Sequence, residues 1–283
     1  MSEPRYPLSG PTQRHDVLHE GIPAWLREPI RAWLEESLEY LRNRFGRSGF
    51  DASLARTFDL HARLEEPLAP NVKNVYLWSV VMNRDDEPIL DFVHFLLPIL
   101  MNANAPLFVE DVDDTLRLGG SVWRVAERDG NAGLERRVDD TAMAAADKAM
   151  AESGHAGKLL EQAWEKVYGR NPDPKGAYSK AVLAVEEIAA PIVTHKDKKS
   201  TLGKIAQVMR DQGDWRYALH DGGIESAQDA PLHQVQELWH RDARHANGEG
   251  TYRDPTQQEA ETAVFLAVGL VHMFGAGLIT RKP

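Results

Sequence analysis

Eighteen consecutive residues, Ala263 to Thr280 (AVFLAVGLVHMFGAGLIT), carry no formal charge and constrain the fold more than any other stretch. Such a run either crosses a bilayer or lies inside a bundle with neighbours on most sides. Between Glu261 and Arg281-Lys282 it just reaches spanning length. Its alanine and glycine content, His272 within it, and the capped helix start at Asp254-Pro255-Thr256 favour burial. The reading is therefore a C-terminal helical bundle with no membrane partner.

The rest of the chain reads mainly as helix. Residues 1–20 are polar, with prolines and both charge signs, and are expected to form a flexible arm without the apolar core of a signal peptide. From Pro23 to Phe45, Trp25, Leu26, Ile30, Trp33, Leu34, Leu38 and Leu41 recur at helical spacing, with Pro29 a place for a kink or a split. A second helix is expected over Asp51–Leu64, capped by Asp51. Val72–Met82 and Ile89–Met101 form a helical pair around NRDDEP, with Trp78, Phe92, Phe95 and His94 read as core. Between residues 120 and 138 the apolar period falls to two around RDGNA, which predicts one small β-hairpin. Its Arg124, Arg136 and Arg137 read as a charged strand edge or a small basic face. Helix resumes over Asp140–Tyr168, with a break expected at Ser153-Gly154.

The turn-forming stretch GRNPDPKG (residues 169–176) cannot continue a helix and is the expected boundary between a helical N-terminal domain, 21–170, and a C-terminal bundle, 171–283. Beyond it, Ala177, Ala181, Val182, Val185 and Ile188 mark one inward helix face. Leu202, Ile205 and Val208 mark a second, capped by Ser200 or Thr201, and residues 221–230 read as a loop.

Chemistry concentrates in HQVQELWHRDARHANGEG, His233 to Gly250. Val235, Leu238 and Trp239 anchor one side of a helix expected to close at Asn247-Gly248. Arg241 and Arg244 are three apart, and Arg241 and His245 four apart, so guanidinium and imidazole share a face. That set suits a phosphodiester: the guanidinium forks onto phosphate oxygens and the imidazole moves a proton near neutral pH. His240 and Asn247 are the flanking substrate-contacting candidates. The same basic ending also complements the helix macrodipole, so a structural role stays open. Spacings of seven and five among His233, His240 and His245 do not fit chelation from one helix, and no metal or cofactor is expected.

Composition narrows the chemistry further. The absence of cysteine removes disulfides, thiolate catalysis and thiolate zinc sites, and agrees with a reducing cytoplasm. A net charge of −10 without an extended basic stripe argues against duplex DNA.

The order AYSKAVLAVEEIAAPIV, a basic loop, TLGKIAQVM, a long loop, ELWHRDARHANG and a final apolar helix resembles the C-terminal domain of abortive-infection proteins, which are HEPN-like helical bundles. The likeness covers about residues 174–278, and the N-terminal part looks like what accompanies such domains in actinobacterial and phage-borne proteins. Ribonuclease members of that superfamily use an Arg, a polar residue and a downstream His, supplied by two protomers, to cut RNA without metal. Here Asp242 follows Arg241, but only three residues separate Arg241 from His245, fewer than in that motif. Two readings follow from the resemblance. One is a metal-independent endoribonuclease of antiviral defence. In it Arg241 or Arg244 stabilises the phosphorane, and His245 acts as base or acid towards the 2′-hydroxyl. The other is a non-catalytic interaction or assembly module. RNA, and a second copy through the C-terminal bundle, are the implied partners.

Overall fold

The computed structural model describes residues 17–281 apart from 47, 74, 196, 198, 220–229 and 241–252, and at His240 the backbone alone. The fold is mainly helical, as its periodicity predicts. One compact unit runs to Arg137 and a second begins at Val138.

The first unit holds α1 (Ala24–Phe45), α2 (Phe50–Ala62), α3 (Leu77–Met82), α4 (Asp86–Asn102) and α5 (Pro106–Leu118). Strands β1 (Trp123–Arg128) and β2 (Asn131–Arg136) follow. Ile30, Leu34, Leu38 and Leu41 line the buried face of α1, in one core with Phe92, Val93, Leu96 and Leu97 of α4. The helix continues through Pro29, which lies early enough to remove a single i→i−4 bond. Trp33 Nε1 donates to the Phe108 carbonyl (2.7 Å), joining α1 to α5. Of the expected core aromatics, Phe92 is fully buried and Phe95 packs beside Phe58 (5.3 Å between centroids). Trp78 is half-buried, with the Arg31 guanidinium over its ring.

Asp51 does not cap its own helix. Gly49, in the left-handed region, precedes α2, and Asp51 Oδ2 instead accepts from the Leu77 N–H at the start of α3 (3.0 Å). A carboxylate at one helix start thus satisfies an orphan donor of another.

The hairpin forms where expected. Asp129 (φ 48°) and Gly130 (φ 77°) both have positive φ, the two-residue turn whose twist matches the strands it joins. His94 of α4 supports it: Nδ1 accepts from the Leu134 N–H (2.9 Å), so the ring is a satisfied structural group. The strand arginines form no free basic face. Arg124 and Arg128 both bond the buried Glu135 (2.8 Å each), Arg136 pairs with Glu20, and Arg137 Nε donates to the Ser121 carbonyl. Residues 1–16 of the expected arm lie outside the described residues, but its last residues are pinned. His19 bridges to Ser121 in parallel, and the Trp123 indole donates to the Glu20 carbonyl (3.1 Å).

The second unit holds α6 (Asp140–Glu152), α7 (Gly154–Tyr168), α8 (Pro174–Val193), α9 (Leu202–Gln212), β3 (Trp215–Tyr217), α10 (Ala230–His240), α11 (Gln257–Gly275) and β4 (Ile279–Arg281). It begins earlier than the turn at 169–176 suggests. Leu160, Ala163, Trp164 and Val167 of α7 share one core with Ala181, Val185 and Ala189 of α8 and with Val264, Ala267 and Val271 of α11. The proline-rich turn is therefore the bend of a packed helix pair, fastened by Asp173, which accepts from Lys166 Nζ and the Gly176 N–H (2.8 Å each). The break between α6 and α7 falls at Ser153, as expected, and Gly154 there has φ +56°. A Cβ on Gly157 would stand 1.9 Å from the Met150 carbonyl, so close approach of α6 and α7 demands glycine at that point.

The uncharged run buries one face, while Phe265 and residues 275–278 are exposed. Ala263, Val264, Ala267, Val268, Leu270, Val271 and Phe274 of α11 face the core, and α8 is the principal partner. Among the described residues no helix is long and apolar enough to cross a membrane. The helix ends at Gly275, before the run does. Ile279–Arg281 then pair antiparallel with Trp215–Tyr217, a second β-pair beyond the single hairpin expected.

Candidate functional site

The stretch with the most chemistry is reached through α10. Leu232, Val235 and Leu238 are buried against α9, β3 and α11, which fixes the helix on its apolar side. Two further contacts hold the turn before His240. The Tyr178 hydroxyl of α8 donates to the Leu238 carbonyl (2.9 Å). The Trp239 indole packs against Gly203 of α9, where a Cβ would stand 2.7 Å from the ring. Gly203→Ala is therefore expected to push Trp239 out of place and to cost about 1–3 kcal/mol in urea unfolding. An unchanged midpoint would show that α9 and α10 are less closely packed than the geometry has them.

α10 is described as far as His240. Arg241, Arg244, His245 and Asn247, with the expected helix end at Asn247-Gly248, lie outside the described residues, as does the His240 side chain. Two carboxylates of α8 have partners among the described residues. Glu186 Oε1 accepts from the Leu202 N–H at the start of α9 (2.8 Å), and Glu187 lies 3.4 Å from His155 Nδ1.

Beside the same helix lies a cleft of about 530 Å³ between α8, α10 and α11. His233 and Glu237, one turn apart on α10, face Gln258, Glu259 and Thr262 of α11, with Tyr178 and Leu266 among the walls. Gln234, which also lines the cleft, accepts from the Tyr217 hydroxyl of β3 (2.6 Å), and burial raises the pKa of that phenol.

Glu259 has two tasks in this geometry. It completes a capping box with Thr256 at the start of α11, and it takes a two-pronged ion pair from Arg253 (2.5 and 2.7 Å). The Arg253 contact, followed by the Thr256 bonds, pulls its pKa down to about 2, so it stays a carboxylate throughout the neutral range. Among the described residues no group of three or more His, Asp or Glu is placed to hold a metal ion.

The cleft is not visible in the sequence. His233 and Glu237 show i,i+4 spacing, but the other walls come from helices distant along the chain. Only the cap at Thr256 had a local signal. Comparison of the chain with protein-family models, with curated proteins and with solved structures finds no match.

Proposed function

We propose that the chain is an abortive-infection-type defence protein that engages RNA at the end of α10, where Arg241, Arg244 and His245 handle the phosphodiester. The observation that carries this reading is the fixing of α10. Its apolar side is buried as its periodicity predicts, and Tyr178 and Trp239 hold the turn just before His240, next in the chain to the Arg–His stretch. A rigid element behind a reactive stretch is what positional catalysis needs. Arg241 or Arg244 would stabilise charge on the phosphorane, with His245 exchanging a proton with the 2′-hydroxyl.

The test is cleavage of a labelled single-stranded RNA by the purified chain in the presence of a chelator. His245→Ala and Arg244→Ala are each expected to lower the rate at least about a hundredfold with unchanged helical circular dichroism. Arg241→Ala reports whether the guanidinium one turn before the imidazole takes part. Wild-type protein that leaves RNA intact would remove the nuclease reading.

A second reading, a non-catalytic binding or assembly module, is favoured by one specific observation. The described walls of the cleft offer carboxylates, amides and apolar groups, with no lysine or arginine among them. Under it, the same substitutions disrupt a partner complex or stability and no RNA is cut.

A further inference from the structure

One end of the first unit exposes large apolar side chains around Gly119-Gly120, the turn that follows α5. Trp25 is 60% exposed and Leu118 66% exposed, with Val17 (55%) and the half-exposed Leu18 beside them. Backbone and ring contacts gather them. The Trp25 indole N–H donates to the Gly119 carbonyl (3.1 Å). The His19 N–H donates to the Gly120 carbonyl (2.8 Å), which lays residues 17–19 alongside the same turn. The His19 ring makes a T-shaped contact with Trp25 (5.2 Å, 78°). Gly120 has φ +70°, and a Cβ there would stand 3.5 Å from the Val17 carbonyl.

Two properties of this patch narrow what covers it. The one polar atom of the Trp25 side chain is engaged by Gly119, so the indole offers a partner only apolar ring surface. The charges at the rim are matched within the chain. Glu28 pairs with Arg31 (2.7 Å), Arg27 with Asp86 (2.9 Å), Arg117 with Asp114 (2.7 Å), and Glu20 with Arg136. These pairs take in every described Asp, Glu, Lys and Arg within four positions of Val17, Leu18, Trp25 or Leu118 along the chain.

An exposed apolar patch of this kind marks a contact surface. A nucleic acid or a charged peptide would require unpaired charge at the rim, and the described residues there supply none. In a twofold-symmetric contact each patch meets its own copy, so an unpaired charge would face an identical one. A rim whose charges cancel in pairs removes that repulsion, and a projecting tryptophan is well suited to anchor the centre.

We propose that a second copy of the chain covers this patch, in an isologous dimer centred on Trp25 and Leu118. The four side chains expose on the order of 400 Å², about half of what a standard interface buries on each partner. The association is accordingly weak, with a Kd of roughly tens of micromolar. The dimer uses the first unit alone and stands independently of the α10 site.

The experiment is sedimentation velocity of the full chain from about 1 to about 300 μM. Wild type is expected to pass from monomer to dimer over this range, undiminished in about 0.5 M salt because no unpaired charge takes part. Trp25→Ala and Leu118→Glu are each expected to raise Kd at least about tenfold with unchanged helical circular dichroism. If Trp25→Ala fails to fold, Leu118→Glu, on an exposed side chain, decides alone. Leu60→Glu on α2, a leucine 75% exposed and outside the patch, is the control and should leave Kd unchanged. The proposal is overturned by a wild type that stays monomeric at about 300 μM, by a dimer that Leu118→Glu leaves intact, or by an equal loss in Leu60→Glu. A monomeric wild type that floats with neutral phosphatidylcholine vesicles would overturn it too, by assigning the patch to a lipid surface.

Discussion

Leu270→Asp is expected to abolish folding of the second unit. Leu270 has no exposed surface and belongs to a core built of apolar side chains. An unpaired charge there costs more than about 4 kcal/mol, a large part of the stability of an ordinary domain. Leu270→Ala, which leaves only a cavity, is expected to cost about 2–5 kcal/mol. Urea unfolding followed by circular dichroism separates the two, and Val268→Asp should act in the same direction as Leu270→Asp. If Leu270→Asp unfolded at the wild-type midpoint and merely lost membrane attachment, the uncharged run would be an anchor and not a core helix.

Glu135→Ala should produce the second large effect, confined to the first unit. The Glu135 side chain is 3% exposed and bonds Arg124 and Arg128, whose side chains are 24% and 12% exposed. Removing the carboxylate takes away the anion that the two guanidinium groups share. Breaking a buried ion pair costs about 3–5 kcal/mol, and the lower end applies here because Arg124 keeps partial access to water. The triple replacement of Glu135, Arg124 and Arg128 by apolar residues is expected to recover most of the loss. Thermal unfolding of the single and triple variants measures the difference. Equal destabilisation by both would mean that apolar packing, and not the charges, sets the cost.

What could be read from the residues depended on how local the cause was. The turn Asp129-Gly130 carries its own conformational signal, so the hairpin was placed correctly. α8 and α11 were equally legible, because alanine and valine at helical spacing report burial without reference to a partner. The bend at 169–176 misled because proline and glycine stop a helix whether or not the next one folds back on it, and only the shared core shows that α7 belongs with α8. Asp51 looked like a cap for the nearest helix, yet its carboxylate reaches one that starts 26 residues further on. β3 and β4 are too short to show alternation, and each is recognisable only from the other. The spacing of Arg241, Arg244 and His245 is plain in the sequence, whereas the walls of the cleft beside α10 come from helices far apart along the chain.

The pairing of β3 with β4 has a topological consequence. It brings Trp215 alongside Arg281, and the Asp214–Arg281 ion pair (2.7 Å) and the Ala218 N–H to Leu278 carbonyl bond close the junction. All the chain between these strands, α10, the Arg–His stretch and α11 included, forms a lariat tied at its neck. The entropy of closing that ring is lost once, at the knot, and grows only slowly with the length enclosed. The neck therefore tolerates residues added within the ring far better than substitutions in its own three pairs. A change at Asp214 or Arg281 would act on α10 and α11 together, by opening the circle to which both belong.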